Sequence, residues 1–351
     1  MKHLKDLLIL GFGASLLLMS CSNNTATTLT GNWVKRTEFD GVARTEAISF
    51  VIGNYAYIGT GYDGTNRLND FWLYDANANY WTQKASLPAT GGSYTLQPNG
   101  LYGRSSAVGF AIDTLGYITT GYDGYNRLND TWQYSATLNK WTPKAAFAGT
   151  ARYDAVGFSV SHLGYVSCGF DGNYDKDLWE YTPATDSWIQ RPSLGGSKRS
   201  GAVAFVYNNK AYVCTGTNNN VEVSDFWVFD GATKTWSQLR DIANTSTDNY
   251  DDLYTTIVRD NAVAFVMNNS KGVPKAYLTV GQNGSYLLKT WEYDFATDLW
   301  TEKTPYERSG RAGAVAFTVL GRGFVGTGKN STLQLDDFDE WKPDDTYNAN
   351  D

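Results

Sequence analysis

The sequence predicts an all-β protein, a closed ring of six four-stranded antiparallel sheets. Three observations carry that prediction: the composition, a sixfold repeat, and one tryptophan left over near the N-terminus. The chain has 351 residues, 42% apolar and 19% charged, enough to bury a large core. Its 35 Gly and 24 Tyr beside 8 Pro and 3 Met suit short, aromatic-filled strands joined by tight turns. A net charge of −7 offers no basic footprint for a phosphate backbone, which disfavours nucleic acid as a partner.

Six copies of one unit follow each other. Each opens with an arginine (Arg44, Arg104, Arg152, Arg199, Arg259, Arg311), continues as an apolar strand, turns, and reaches a tryptophan 27 to 32 residues later (Trp72, Trp132, Trp179, Trp227, Trp291, Trp341). A second tryptophan follows nine residues after each of the first five: Trp81, Trp141, Trp188, Trp236 and Trp300. The sixth unit lacks one, and Trp33 stands unused ahead of the first arginine. A unit of about 50 residues cannot cover both faces of its own sheet and must stack on its neighbours. A ring leaves no bare end face, and the strand around Trp33 is expected to complete the last sheet.

Each unit also carries a glycine after its second strand: Thr60-Gly61, Thr120-Gly121, Cys168-Gly169, Thr215-Gly216, Val280-Gly281 and Thr327-Gly328. With the tryptophans at their distances, this resembles the Gly-Gly, aromatic and tryptophan pattern of kelch-repeat β-propellers, in a variant that is similar to bacterial secreted kelch proteins. The resemblance implies a six-bladed kelch-type propeller over 31–343, with 344–351 as a C-terminal tail. The signatures of WD40 propellers are absent.

The N-terminus reads as a targeting segment. Lys2 and Lys5 precede 13 residues from Leu7 to Met19, ending at Cys21; this run is short for a spanning helix, which needs about 20 apolar residues. It resembles a bacterial lipoprotein signal, implying removal of 1–20, lipidation of Cys21, a polar tether over 21–30, and a monomer anchored in the cell envelope, at an outer membrane facing the periplasm. The mature chain would carry 27 Lys and Arg against 35 Asp and Glu. Cys168 and Cys214 then remain, either as buried thiols or as a disulfide, with no zinc spacing.

Propellers host enzymes, binders and scaffolds alike, so function rests on the site. The resemblance raises two enzymes. A copper oxidase such as galactose oxidase needs two histidines, and only His162 survives cleavage, in a turn expected on the wrong face. A sialic acid (N-acetylneuraminate) mutarotase needs an acid/base group beside a carboxylate-binding arginine. Glu46 and Asp154, each two residues after a unit-opening arginine, and Glu222 are the acidic candidates, unless they simply pair with those arginines.

The binding reading starts from the loops between second and third strands, which emerge on the same face as the connections between units. GYDGTNRLND, GYDGYNRLND and GFDGNYDKDL supply Tyr62, Asp63, Arg67, Tyr122, Asp123, Tyr125, Arg127, Phe170, Asp171, Tyr174 and Lys176. Aromatic faces beside short amides and carboxylates suit sugar rings. Asp-Gly is also a turn dipeptide whose carboxylate can satisfy its own loop. Two connections are long, Ala89 to Gly103 and Asp241 to Val258. The second holds Asp248, Asp251 and Asp252, a solvated acidic loop or a calcium collector without ordered ligand spacing. The sequence therefore favours a propeller that binds a glycan or a protein without catalysis, cofactor or metal, with the mutarotase and a structural scaffold as alternatives.

Overall fold

A computed structural model describes residues 29–88, 96 and 102–351 of the chain. The targeting segment, Cys21 and most of the Ala89 to Gly103 connection lie outside the described residues. Six four-stranded antiparallel blades surround a central channel. Blade one runs Ile48–Ile52, Tyr55–Gly59, Phe71–Asp75 and Tyr80–Lys84 from the channel outward. Blades two to five repeat this order over 108–144, 156–191, 203–238 and 263–303.

Blade six is assembled from both ends of the chain. Its inner strands are Val315–Val319, Arg322–Gly326 and Phe338–Lys342, and its outer strand is Asn32–Lys35, with Trp33 opposite Trp341. The register corrects one detail of the repeat. Trp341 occupies the place of Tyr74 in blade one, each facing the outer-strand tryptophan, whereas the place of Trp72 is taken by Asp339. The last unit thus has an outer-strand tryptophan, Trp33, and no counterpart of Trp72.

Alternation along each inner strand sends Ile48, Phe50 and Ile52 between blades one and two, where they cluster with Ile118, Tyr134 and Trp141. Equivalent aromatic clusters fill the other junctions. The six unit-opening arginines are fully buried. Arg44 grips Asp70 with both guanidinium nitrogens at 2.6 Å and donates to the Thr60 carbonyl, tying the start of the blade to the third strand. Arg152 and Arg311 grip both oxygens of Asp177 and Asp337 likewise, while Arg104 and Arg199 bond Asp130 and Asp225 through Nη2 at one oxygen. Burying a guanidinium is tolerable only with such compensation. Blade five departs: Arg259 bonds backbone carbonyls of Val280 and Lys289, and burial without a carboxylate pushes its pKa down to about 9.

The retained glycine has a geometric cause. Gly121 adopts φ +104°, and its N–H donates to the carbonyl of Arg152 in the next blade at 2.8 Å. A β-carbon there would lie 2.9 Å from the Ser105 carbonyl oxygen. The same bond repeats at all six junctions, ending with Gly328 to Arg44. Cys168 and Cys214 are free and buried, so the disulfide alternative does not hold in this structure; burial raises both thiol pKa values, that of Cys214 to about 12.

Candidate functional site at the channel mouth

The residue two places after each unit-opening arginine reaches the channel axis. Glu46, Ser106, Asp154, Gly201, Asn261 and Gly313 all lie in the left-handed region, with φ between 49° and 62°. Their backbones close a hydrogen-bonded circle: Ser106 N–H donates to Glu46 O, Asp154 to Ser106, Gly201 to Asp154, Asn261 to Gly201, Gly313 to Asn261 and Glu46 to Gly313, at 2.7 to 3.0 Å. Glu46, Ser106, Asp154 and Asn261 hold this strained conformation, which glycine adopts freely at the other two places, because each is tied to both neighbours. The collar borders a mouth cavity of about 110 Å³, below which lies a channel of about 180 Å³ walled by Ala, Val, Gly, Ser and Ile.

The opening arginines are committed to the third strands, which leaves Glu46 and Asp154 to the mouth. Ser106 Oγ donates to Glu46 Oε2 at 2.9 Å and also bonds the Asp154 carboxyl, linking the two acids. Burial by the surrounding collar and then the charge of Glu46 push the Asp154 pKa up to about 7, against the opposing Ser106 bond and Lys329. Asp260, only 7% exposed, accepts from Asn261 and Gln282 at Oδ2 while its Oδ1 has no partner. Its pKa is raised by burial, as is that of Glu222, which also feels Asp260. Lys329 approaches Glu46 at 3.7 Å. Sequence reasoning missed Tyr153, Asp260, Gln282 and Lys329, although each is one place after a unit-opening arginine or a retained glycine.

Beyond the collar, short bridges pair Thr45 with Tyr62, Ser105 with Tyr122, and Tyr153 with Phe170. Arg67 lies 4.3 Å from the ring centroid of Tyr62 and 5.2 Å from that of Tyr122, while Arg127 lies 5.4 Å from that of Phe170. Tyr153 stands between Tyr122 and Phe170 at 5.4 and 5.7 Å, and Tyr174 meets Phe170 edge-on at 5.2 Å. Rings and guanidinium groups therefore form one arc over blades one to three.

The loop aspartates serve their own turns. Asp63 Oδ1 accepts from the Thr65 and Asn66 N–H groups at 2.7 and 2.6 Å; burial opposes, but these donors hold its pKa below the ordinary range. Asp123, fully buried, accepts likewise from Tyr125 and Asn126. Asp171 accepts from Asn173. Tyr125 projects at its loop tip with its side chain largely exposed, and Lys176 donates to the Gly196 carbonyl at 3.1 Å.

Other candidates are not brought to the mouth. His162 is exposed in its turn, bonded to Asp113. Asp251 is spent on the Thr245 and Ser246 N–H groups. Among the described residues, no group of three His, Cys, Asp or Glu side chains is placed to hold a metal ion, and no helix is long and apolar enough to cross a membrane.

A family model described as Kelch motif matches residues 198–241, the stretch holding Arg199, Gly216, Trp227 and Trp236. Among solved structures, one titled "Structure of YjhT" is similar with a TM-score of 0.66 and 17% identity over 86% of this chain and 96% of that one. No curated protein matches the chain. The fold and the repeat define a six-bladed β-propeller. The kelch motif lies in its fourth blade, and the other five repeat the same four-stranded architecture.

Proposed function

We propose that the chain is a carbohydrate-binding propeller that takes a glycan on its loop face, between the aromatic arc and the channel mouth. The arc of Tyr62, Arg67, Tyr122, Arg127, Phe170 and Tyr174 carries the reading: flat rings suit the C–H faces of pyranoses, and fixed guanidinium groups suit hydroxyls and carboxylates. Rings already ordered by their neighbours lose little freedom on binding. A lipid on Cys21 would hold this face at the cell envelope. A glycan array probed with residues 29–351 tests the reading: binding abolished by Tyr122→Ala supports it, and silence across the array favours a protein scaffold.

Asp154 favours a second reading, a sialic acid mutarotase. A carboxyl with a pKa near 7 can give a proton and take one back at neutral pH. Anomer exchange needs both steps: the anomeric hydroxyl loses its proton, the ring oxygen gains one, the ring C–O bond breaks and re-forms. Magnetisation exchange between the anomers of N-acetylneuraminate would be faster with the protein than with Asp154→Asn.

A further inference from the structure

A cavity on the loop face lies off the axis, between blades three and four. It has a volume of about 520 Å³ and is lined by Phe170, Tyr174, Lys198, Asn218, Asn219 and Asn220, with Gly172 and Asn173 at its edge. That falls within the roughly 300–1,000 Å³ of small-ligand sites.

The cleft lies at a junction without the crossing that is made at three others. Between blades six and one, Gln334 lies over Gly64, where a β-carbon would be 3.0 Å from its Oε1. Between one and two, Arg67 covers Gly124, whose β-carbon would be 3.2 Å from Nη1; between two and three, Arg127 covers Gly172 at 3.8 Å from Nη2. Blade three has Lys176 in its loop, but that ammonium turns back to the Gly196 carbonyl. The short hairpin of blade four, Thr217–Asn218 and Val221–Glu222, forms the far wall. Asn219 and Asn220 make the two-residue turn at φ 52° and 61°, a conformation asparagine tolerates.

The Asn219 amide donates to Asn218 Oδ1 at 3.1 Å, and other groups facing the cleft are uncommitted. Among the described residues, no protein group pairs with the Tyr174 hydroxyl, the Asn220 amide or the Lys198 ammonium. Of the nearby acids, Asp171 is taken up by Asn173 and the Thr150 hydroxyl, while Asp175 faces Arg152 at 3.6 Å and also feels the charge of Lys198. Lys198 is the cation of the lining.

We infer that this cleft is a subsite for an acidic sugar, a uronic or ulosonic acid, with the ring against Phe170 and Tyr174, the hydroxyls on the asparagine amides and the carboxylate on Lys198. The inference rests on the glycan reading and gives it a ligand class.

The test is calorimetric titration and saturation-transfer NMR of the purified protein with N-acetylneuraminate, methyl β-glucuronide and methyl β-glucoside. At least one acid binds about tenfold more tightly than the glucoside; Lys198→Gln removes about five- to tenfold of that affinity and leaves the glucoside unchanged, while Tyr174→Ala weakens all three. Melting curves confirm that each variant is folded, and Lys198, exposed at the cleft edge, is the variant that keeps the test valid if Tyr174→Ala is not. Equal binding of acids and glucoside, no response to Lys198→Gln, or no saturation transfer from either acid overturns the subsite. Array glycans that depend on Tyr122 but not on Lys198 or Tyr174 would leave the loop-face reading standing and remove the subsite alone; no glycan binding at all would remove both.

Discussion

Trp33 and Trp341 face each other across the outer pair of strands in blade six, their ring centroids 4.7 Å apart, although they come from opposite ends of the chain. Tyr306 meets Trp33 edge-on at 4.9 Å, and both tryptophans are almost completely buried. One strand thereby converts an open row of sheets into a ring.

Trp33→Ala should therefore cost about 3–5 kcal/mol, the usual range for deleting a large buried aromatic. Because the strand closes the ring, the loss should appear as one cooperative shift of the whole melting transition. Thermal unfolding followed by tryptophan fluorescence checks it; a variant melting like the parent would mean that the outer strand contributes nothing to closure.

Gly121→Ala should destabilise the ring. The residue would have to hold φ +104° with a β-carbon 2.9 Å from the Ser105 carbonyl oxygen, beside the bond to Arg152 that joins blades two and three. Backbone strain of this kind costs about 1–3 kcal/mol before the steric conflict is counted. Urea denaturation measures the loss, and an unchanged midpoint would contradict the geometry.

Much of this architecture was legible because arginine, glycine and tryptophan recur at near-constant spacing, each for a reason that every blade shares: a buried ion pair, a positive φ, a filled junction. Trp341 misled because the spacing from arginine to tryptophan already varies between units, and that variation hid a two-residue shift. In the last blade Asp339 replaces the expected tryptophan and takes hydrogen bonds from Tyr306 and Arg308. The site was only half legible. Glu46 and Asp154 could be found by their place after the arginine, but Asp260 and Lys329 each occur at their position in one blade alone, so no repeat announces them. Whether Asp63 and Asp123 bind a ligand or a turn was undecidable from Asp-Gly alone; their hydrogen bonds to the following N–H groups show that they fasten the turns.

Stability should fall as pH rises through the range set by Asp154. Its carboxyl titrates near 7 in the folded protein and near the ordinary 3.8 unfolded, so between those values the folded state holds the extra proton. Raising the pH removes it and leaves a charge facing Glu46 and Asp260, with Lys329 the partly compensating cation. Asp260 and Glu222, also raised, slope the same way, whereas Glu340, held down to about 2 despite burial by Arg322, Lys342 and Arg36, keeps its contribution across this range. Melting temperature measured from pH 5 to 8 should decline, and Asp154→Asn should flatten the decline. A profile identical in the variant would show that Asp154 is not the group responsible.

The loop aromatics and the blade aromatics should respond oppositely to truncation. Tyr62, Tyr122 and Phe170 are half-buried over the face, stacked on arginines and on each other rather than between sheets. Trp132 lies in the junction with Phe50 and Trp141, 4% exposed, its indole N–H on Asp130. Tyr122→Ala should weaken glycan binding at least tenfold while costing about 1 kcal/mol of stability or less, the scale of an exposed ring–guanidinium contact. Tyr62→Ala and Phe170→Ala should follow it. Trp132→Ala should cost about 3–5 kcal/mol and leave the affinity of the folded fraction unchanged. Arg67→Met, which keeps the aliphatic stem and removes the charge between Tyr62 and Tyr122, separates stacking from charge: neutral glycans should retain most of their affinity and acidic ones should lose it. If all three loop variants lost stability like Trp132→Ala while binding per folded molecule stayed constant, the arc would be part of the framework, and the ligand would have to be sought at the collar of Glu46, Ser106 and Asp154.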